Sequence, residues 1–81
     1  MKILFFGSLA DKLGAQLEVD VPDAGMTVAE LRRMVSGVRP EAAGPLMSPT
    51  ARACIDQVIV PETARVLPAH EVAFVPPLSG G

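Results

Sequence analysis

The sequence contains one capping box followed by one long amphipathic segment, which limits the chain to a fold with few helices. The hydroxyl of Thr27 is placed to accept from the Glu30 amide, and the Glu30 carboxylate to accept from the Thr27 amide. Val28, Leu31 and Val35 then recur at three- and four-residue spacing. This pattern predicts a helix of about three turns with a single apolar face.

The rest of this segment predicts the polar side of the helix and its end. Arg32 and Arg33 lie on the side opposite the apolar residues, and Gly37 is available as a terminator. Residues 39–50 contain three prolines and one glycine. Because proline interrupts regular structure, we expect a connecting loop there with at most one short turn.

Short apolar or alternating runs predict strands on both sides of this helix. They cover residues 2–6, 16–21, 52–55, 58–60 and 72–75. A tight turn at Asp56-Gln57 joins two of them, and a short helix capped by Ser8 and ended by Gly14 follows the first. Since 81 residues supply one core, we expect residues 1–81 to form a single domain. We expect an α+β fold, a β-grasp roll with a mixed sheet of four to five strands and one main helix on one face.

Charge and cysteine content exclude several classes of protein. The net charge of −2 and the absence of a basic run give no electrostatic support for nucleic-acid binding. A single cysteine forms no internal disulfide, which favours a reducing compartment such as the cytoplasm. We also expect no metal site, because one Cys and one His match no zinc spacing, and no membrane segment.

The predicted strands are apolar on both faces. In the first strand Ile3 and Phe5 point one way and Leu4 and Phe6 the other. One helix covers only one face of a sheet, so the second apolar face lies either under loops or against another protein.

The last ten residues, 72–81, carry no charged side chain. Pro76-Pro77 predicts an extended stalk, and Gly80-Gly81 leaves no Cβ next to a terminal carboxylate. Such an end fits a narrow channel that leads to ATP in an activating enzyme. A frayed terminus is the alternative.

Three segments carry a family resemblance. Lys2–Phe6, Thr27–Arg32 and the run from Glu71 through Phe74 into Pro-Pro-Leu-Ser-Gly-Gly resemble the small subunit of molybdopterin synthase, a ubiquitin-like sulfur carrier. The resemblance implies that the Gly81 carboxylate is adenylated, converted to a thiocarboxylate, and used to donate sulfur to the pterin precursor in molybdenum cofactor biosynthesis.

The resemblance also implies the partners and the residues that meet them. The partners are a large synthase subunit, in a heterotetramer, and a ubiquitin-activating-like adenylyltransferase that uses ATP; the chain itself has no active site and binds no cofactor. Phe6, Ile59 and Val75 would form the docking patch. The tail that enters the partner would comprise Pro76, Pro77, Leu78, Ser79 and Gly80.

Two other functions stay open. A thiamine-pathway sulfur carrier shares the fold and the Gly-Gly end, and a ubiquitin-like protein modifier or interaction module would use the same end to form isopeptides. The lone His70 is interpreted as a solvated corner residue and Cys54 as a small thiol buried in a strand, so neither is assigned a role.

Overall fold

A mixed five-stranded sheet and three helices make up the computed structural model, which describes residues 1–48 and 50–76. The elements, in chain order, are β1 (Lys2–Phe5), α1 (Gly7–Leu13), β2 (Gln16–Glu18), β3 (Met26–Thr27), α2 (Val28–Val38), a 3₁₀ turn (Pro40–Ala42), α3 (Ala43–Met47), β4 (Arg52–Ile55), β5 (Val58–Val60), β6 (Arg65–Val66) and β7 (Val72–Val75).

The order of strands in the main sheet is β2-β1-β7-β4-β5. The central strand β7 is parallel to its neighbour β1, and all other neighbouring strands are antiparallel, so the sheet is mixed as predicted. β3 and β6 form a separate two-stranded ladder that the sequence did not predict. The predicted strand over 16–21 ends earlier, at Glu18, although Val19 is buried.

The core lies between one face of the sheet and the helices. Val28, Leu31 and Val35 are fully buried on α2, which confirms the predicted apolar face. They share the core with Phe5 and Phe74, whose ring centroids are 6.2 Å apart on the neighbouring strands β1 and β7. The helix that the sequence predicts therefore packs on the face that we call the inner face of the sheet.

The capping box forms as predicted and affects an acidic group. The Glu30 amide donates to the Thr27 hydroxyl at 3.1 Å, while the Thr27 amide donates to the Glu30 carboxylate at 2.9 Å. The hydrogen bond from the Thr27 backbone, followed by that from its hydroxyl, holds the pKa of Glu30 below its ordinary value of 4.5. Glu30 therefore stays ionised at the helix N-terminus.

Three predictions about helix ends and loops are wrong. Helix α1 has Phe6 rather than Ser8 at its N-cap, with no side-chain cap, although Gly14 does end it with φ +85°. Helix α2 continues through Gly37 to Val38. Residues 40–47 are helical instead of a loop, because Ala42 and Leu46 are fully buried in the core and Pro40 opens the 3₁₀ turn at its first position.

The prediction that Arg32 lies on the polar side of α2 is also wrong. Arg32 is 6% exposed, whereas Arg33 faces solvent. The Arg32 guanidinium donates to both carboxylate oxygens of Glu62, at 2.7 and 2.9 Å. It also donates to the buried backbone carbonyls of Leu46 and Ala51. A buried charge is tolerated only with such partners, and all of them lie far away in the sequence.

Candidate functional site

The face of the sheet opposite the helices carries an apolar surface formed by alternate residues of neighbouring strands. The strand register places Leu4, Ala73, Cys54 and Ile59 in one row across β1, β7, β4 and β5. Phe6 follows β1 and lies beside β7, where its amide donates to the Phe74 carbonyl at 3.2 Å. We call this surface the outer face.

The three residues predicted to dock partners differ in their exposure. Phe6 is 49% exposed and Ile59 is 59% exposed, and Val75 is half-buried. The structure thus places all three on the outer face, with Ile59 two strands away from Val75 at the sheet edge. Their role in binding stays a prediction.

A cavity of about 420 Å³ lies on the outer face. Its lining includes the apolar side chains of Leu4, Phe6, Ala73 and Val75, together with the thiol-bearing residue Cys54. Gln57 and Glu71 complete it at the hairpin end. The cavity therefore offers an apolar floor with polar groups at one end, a shape that accepts an apolar side chain of another molecule.

The sequence interpretation missed several of these lining residues. Leu4 was placed on the correct face, but Ala73, Cys54 and Gln57 were not assigned to the docking surface. The two-residue alternation of the strands contained this signal. The sequence does not give the register between β4 and β7, which places Cys54 opposite Ala73.

The beginning of the tail lies beside this surface. Pro76 directly follows β7, and a Cβ added to Gly7 would lie 2.8 Å from the Pro76 Cγ. Gly7 has a φ of +56°, a conformation that glycine adopts readily. The predicted tail residues Pro77, Leu78, Ser79, Gly80 and the reacting residue Gly81 lie outside the described residues.

The two residues that were assigned no role occupy different surroundings. Cys54 is half-buried on the outer face, so the expectation of a buried thiol holds only in part. His70 closes a turn: its Nδ1 accepts from the Leu67 amide at 2.9 Å, and its own amide donates to the Leu67 carbonyl at 3.0 Å. The imidazole ring therefore acts as a hydrogen-bond acceptor inside its own turn.

Residues 1–48 and 50–76 include no cluster of three or more His, Cys, Asp or Glu side chains arranged to hold a metal ion. Over the same residues, no helix has the length and apolar character needed to span a membrane.

Comparisons with known proteins agree with this fold. SAMP1 from Haloferax volcanii superposes with a TM-score of 0.83 at 21% identity, covering 99% of this chain and 97% of that one. The small archaeal modifier protein 1 of H. volcanii, in a second structure, gives a TM-score of 0.77 at 20% identity, with 95% of each chain covered. The putative molybdopterin converting factor subunit 1 from Pyrococcus furiosus gives 0.79 at 14% identity, also with 95% of each covered.

These likenesses confirm the predicted β-grasp fold. No curated protein sequence matches the chain significantly. A family model described as ThiS family matches residues 3–81, nearly the whole chain. The chain therefore belongs to the ThiS family of ubiquitin-like sulfur carriers.

Proposed function

We propose that this protein is the sulfur-carrier subunit of a molybdopterin synthase, with Gly81 as its C-terminal residue. The Gly81 carboxylate attacks the α-phosphate of ATP held by an activating enzyme, and pyrophosphate leaves. A sulfur nucleophile then displaces AMP from the acyl carbon to give a thiocarboxylate. This soft, anionic sulfur is donated to the pterin precursor of the molybdenum cofactor.

The observation that carries the proposal is the position of the apolar outer face beside the origin of the tail. Val75 directly precedes Pro76, Phe6 directly precedes Gly7, and Pro76 packs against Gly7. A partner bound to the outer face is thus next to Pro76, the residue that precedes 77–81 in the sequence. A partner that docks on this face therefore also receives the terminal carboxylate.

The outer face serves two partners in turn in this proposal. The first is a ubiquitin-activating-like adenylyltransferase that supplies ATP, and the second is a large synthase subunit, in a heterotetramer of two small and two large chains. The Pyrococcus protein, named as a subunit of a molybdopterin converting factor, supports a larger partner. Because both partners bind the same surface, their complexes with this protein are mutually exclusive. We place these steps in the cytoplasm, which supplies ATP and keeps Cys54 reduced.

A protein modifier is the second candidate, because two of the similar structures are those of a small archaeal modifier protein. The same acyl-adenylate would then be attacked by a lysine amine, which forms an isopeptide bond and releases AMP. A thiamine-pathway sulfur carrier is a further alternative, in agreement with the name of the matching family.

Intact-mass analysis distinguishes carrier from modifier. The full chain is incubated with ATP, an activating enzyme and a sulfur donor, in the presence and absence of the large subunit. Exchange of one oxygen for sulfur, followed by its loss when the large subunit and pterin precursor are added, supports the proposal. Lysine adducts without such exchange support the modifier.

Shortening the tail tests the role of Gly81. Deleting Gly81, or adding residues after it, should abolish sulfur transfer while the melting temperature stays nearly unchanged, since the core lies elsewhere. The matched control is Arg33→Met, on an exposed position of the helix that covers the inner face, which should retain transfer. Transfer by the shortened chain would contradict the proposal.

A further inference from the structure

The two edges of the five-stranded sheet differ in chemistry. β2, at one edge, has the sequence Gln-Leu-Glu, with its polar residues exposed. β5, at the other edge, has the sequence Val-Ile-Val, with Val58 62% exposed and Ile59 59% exposed. Exposed apolar edge strands invite pairing with another strand, and proteins usually protect them with charge or proline. Within residues 1–48 and 50–76, no strand pairs with the free side of β5.

The backbone of this edge is available for pairing. The hairpin loop has two residues, and Asp56 donates its amide to the Glu71 carbonyl at 2.8 Å on the β7 side. Since ladder hydrogen bonds alternate, Cys54 turns its amide and carbonyl toward β7, and its neighbour Ile59 turns both groups away from β4. An added strand therefore finds a free donor and a free acceptor on Ile59.

Side-chain contacts are available on the inner side of this edge. A second cavity of about 420 Å³ lies there. Its lining includes the apolar residues Val60, Pro61, Ala53 and the 47% exposed Met47, and also the charged residues Arg32, Arg52 and Glu62. An apolar residue of an added strand, on the same face as Val60, would contact the apolar part of this lining. Ile59 offers an apolar contact on the outer side.

The charges around β5 determine which kind of strand fits. Two exposed carboxylates, those of Asp56 and Glu71, lie at the hairpin end, where the Glu71 amide donates to the Asp56 Oδ1 at 2.9 Å. A second copy of this chain fits poorly, because antiparallel pairing about Ile59 sets Asp56 of one copy opposite Glu62 of the other. A contact between two copies of the three-residue strand β5 also buries less than the roughly 800 Å² per partner of a stable dimer.

We propose that β5 is a strand-addition site for an extended apolar segment of a partner protein that carries basic residues beside Asp56. In antiparallel pairing those basic residues follow the apolar ones. The site shares Ile59 with the outer face, but it is formed by the backbone at the edge of the sheet and involves neither Gly81 nor the tail.

The test is an amide NMR titration of the full chain with the blocked peptide acetyl-Thr-Val-Thr-Val-Lys-Lys-amide and with a comparator in which Glu replaces both Lys. We expect saturable shifts at residues 58–60 and Met47. The Lys peptide should bind about threefold more tightly than the Glu peptide, the size of a solvent-exposed charge contribution.

Variants make the assignment specific. Asp56→Asn keeps the acceptor for the Glu71 amide but removes the charge, and should abolish most of the preference for Lys. Asp20 is an exposed acid next to the opposite edge, and Asp20→Asn should leave the preference for the Lys peptide unchanged. Ile59→Pro removes the outward N–H without removing a bond to β4, and should abolish binding in a chain whose remaining spectrum is native.

Three results would overturn the proposal. The first is no saturable binding at millimolar peptide, and the second is equal binding of both peptides or shifts that map to the cavity on the outer face. The third is concentration-dependent change at Ile59 without peptide, which would identify a second copy as the occupant.

Discussion

Replacing Arg32 by Met removes the guanidinium but keeps an unbranched side chain in the core. The buried carbonyls of Leu46 and Ala51 lose their donor, at about 1–3 kcal/mol for each buried group left unpaired. The contact with Phe74, whose ring centroid lies 5.1 Å from the guanidinium carbon, contributes about 0.5–2 kcal/mol.

The ion pair itself contributes less to this sum. The Glu62 side chain is 49% exposed, so solvent screens the pair to about 1 kcal/mol or less. Apolar packing by Met recovers part of the loss, and the expected decrease in the free energy of unfolding is about 3–5 kcal/mol. Domains of this length have roughly 4–12 kcal/mol in total. Arg32→Met should therefore leave a marginally stable protein.

Urea denaturation followed by far-ultraviolet circular dichroism measures this loss, since the sequence has no Trp or Tyr for fluorescence. Arg33→Met, the exposed neighbour on the same helix, is the matched control and should lose less than about 0.5 kcal/mol. Glu62→Gln should lose about 1 kcal/mol or less.

The reasoning fails if Arg32→Met loses less than about 1 kcal/mol, because the two carbonyls would then need no donor. It also fails if Glu62→Gln loses as much as Arg32→Met. That result would place the stabilisation in the ion pair with Glu62 rather than in the bonds to the backbone.

Three further predictions follow from other parts of the structure. Phe6→Ala should weaken binding of the large synthase subunit by about 1–3 kcal/mol in calorimetry and lower folding stability less, because the ring is half exposed; a loss confined to folding would make Phe6 a core residue. The pKa of Glu30 is lowered in the folded state, so its carboxylate stabilises the fold above pH 4.5 and this contribution is lost as the pH falls through the lowered value. Glu30→Gln should flatten the acid side of a plot of melting temperature against pH, and an unchanged plot would contradict the capping role. Gly14→Ala should cost about 1–3 kcal/mol in urea denaturation, because its backbone (φ +85°, ψ 171°) lies in a region that is essentially restricted to glycine and no neighbouring atom would touch the Cβ. Gly25→Ala should cost at least about 1 kcal/mol more, because its Cβ would lie 2.5 Å from the Val66 carbonyl oxygen; equal costs would exclude that contact.

Local sequence determined the elements whose hydrogen bonds and packing stay within a few residues. The capping box at Thr27 needs only Glu30, three residues away, and it forms as predicted. The hairpin after Ile55 needs only the two residues Asp56 and Gln57, both with positive φ. Alternation along β1 likewise sufficed to place Phe6 on the outer face.

Predictions from local sequence were wrong or missing where contacts with distant residues determine the structure. Proline and glycine between 40 and 47 indicate a loop, yet burial of Leu46 against α2 makes the segment helical. The pairing of β3 with β6, and the placing of Cys54 opposite Ala73 in the outer face, depend on strand register across the fold. Neither leaves a signal within a short window of sequence.

Arg32 shows the difference between the two kinds of information most directly. The sequence by itself determined the family, the helix that carries this residue, and the apolar strands that leave a second sheet face uncovered. Only the tertiary structure turned Arg32 inward, because its partner Glu62 is 30 residues away and its carbonyl acceptors are 14 and 19 residues away. Periodicity records whether a side chain is apolar, whereas burial of a charge depends on partners that folding alone brings together.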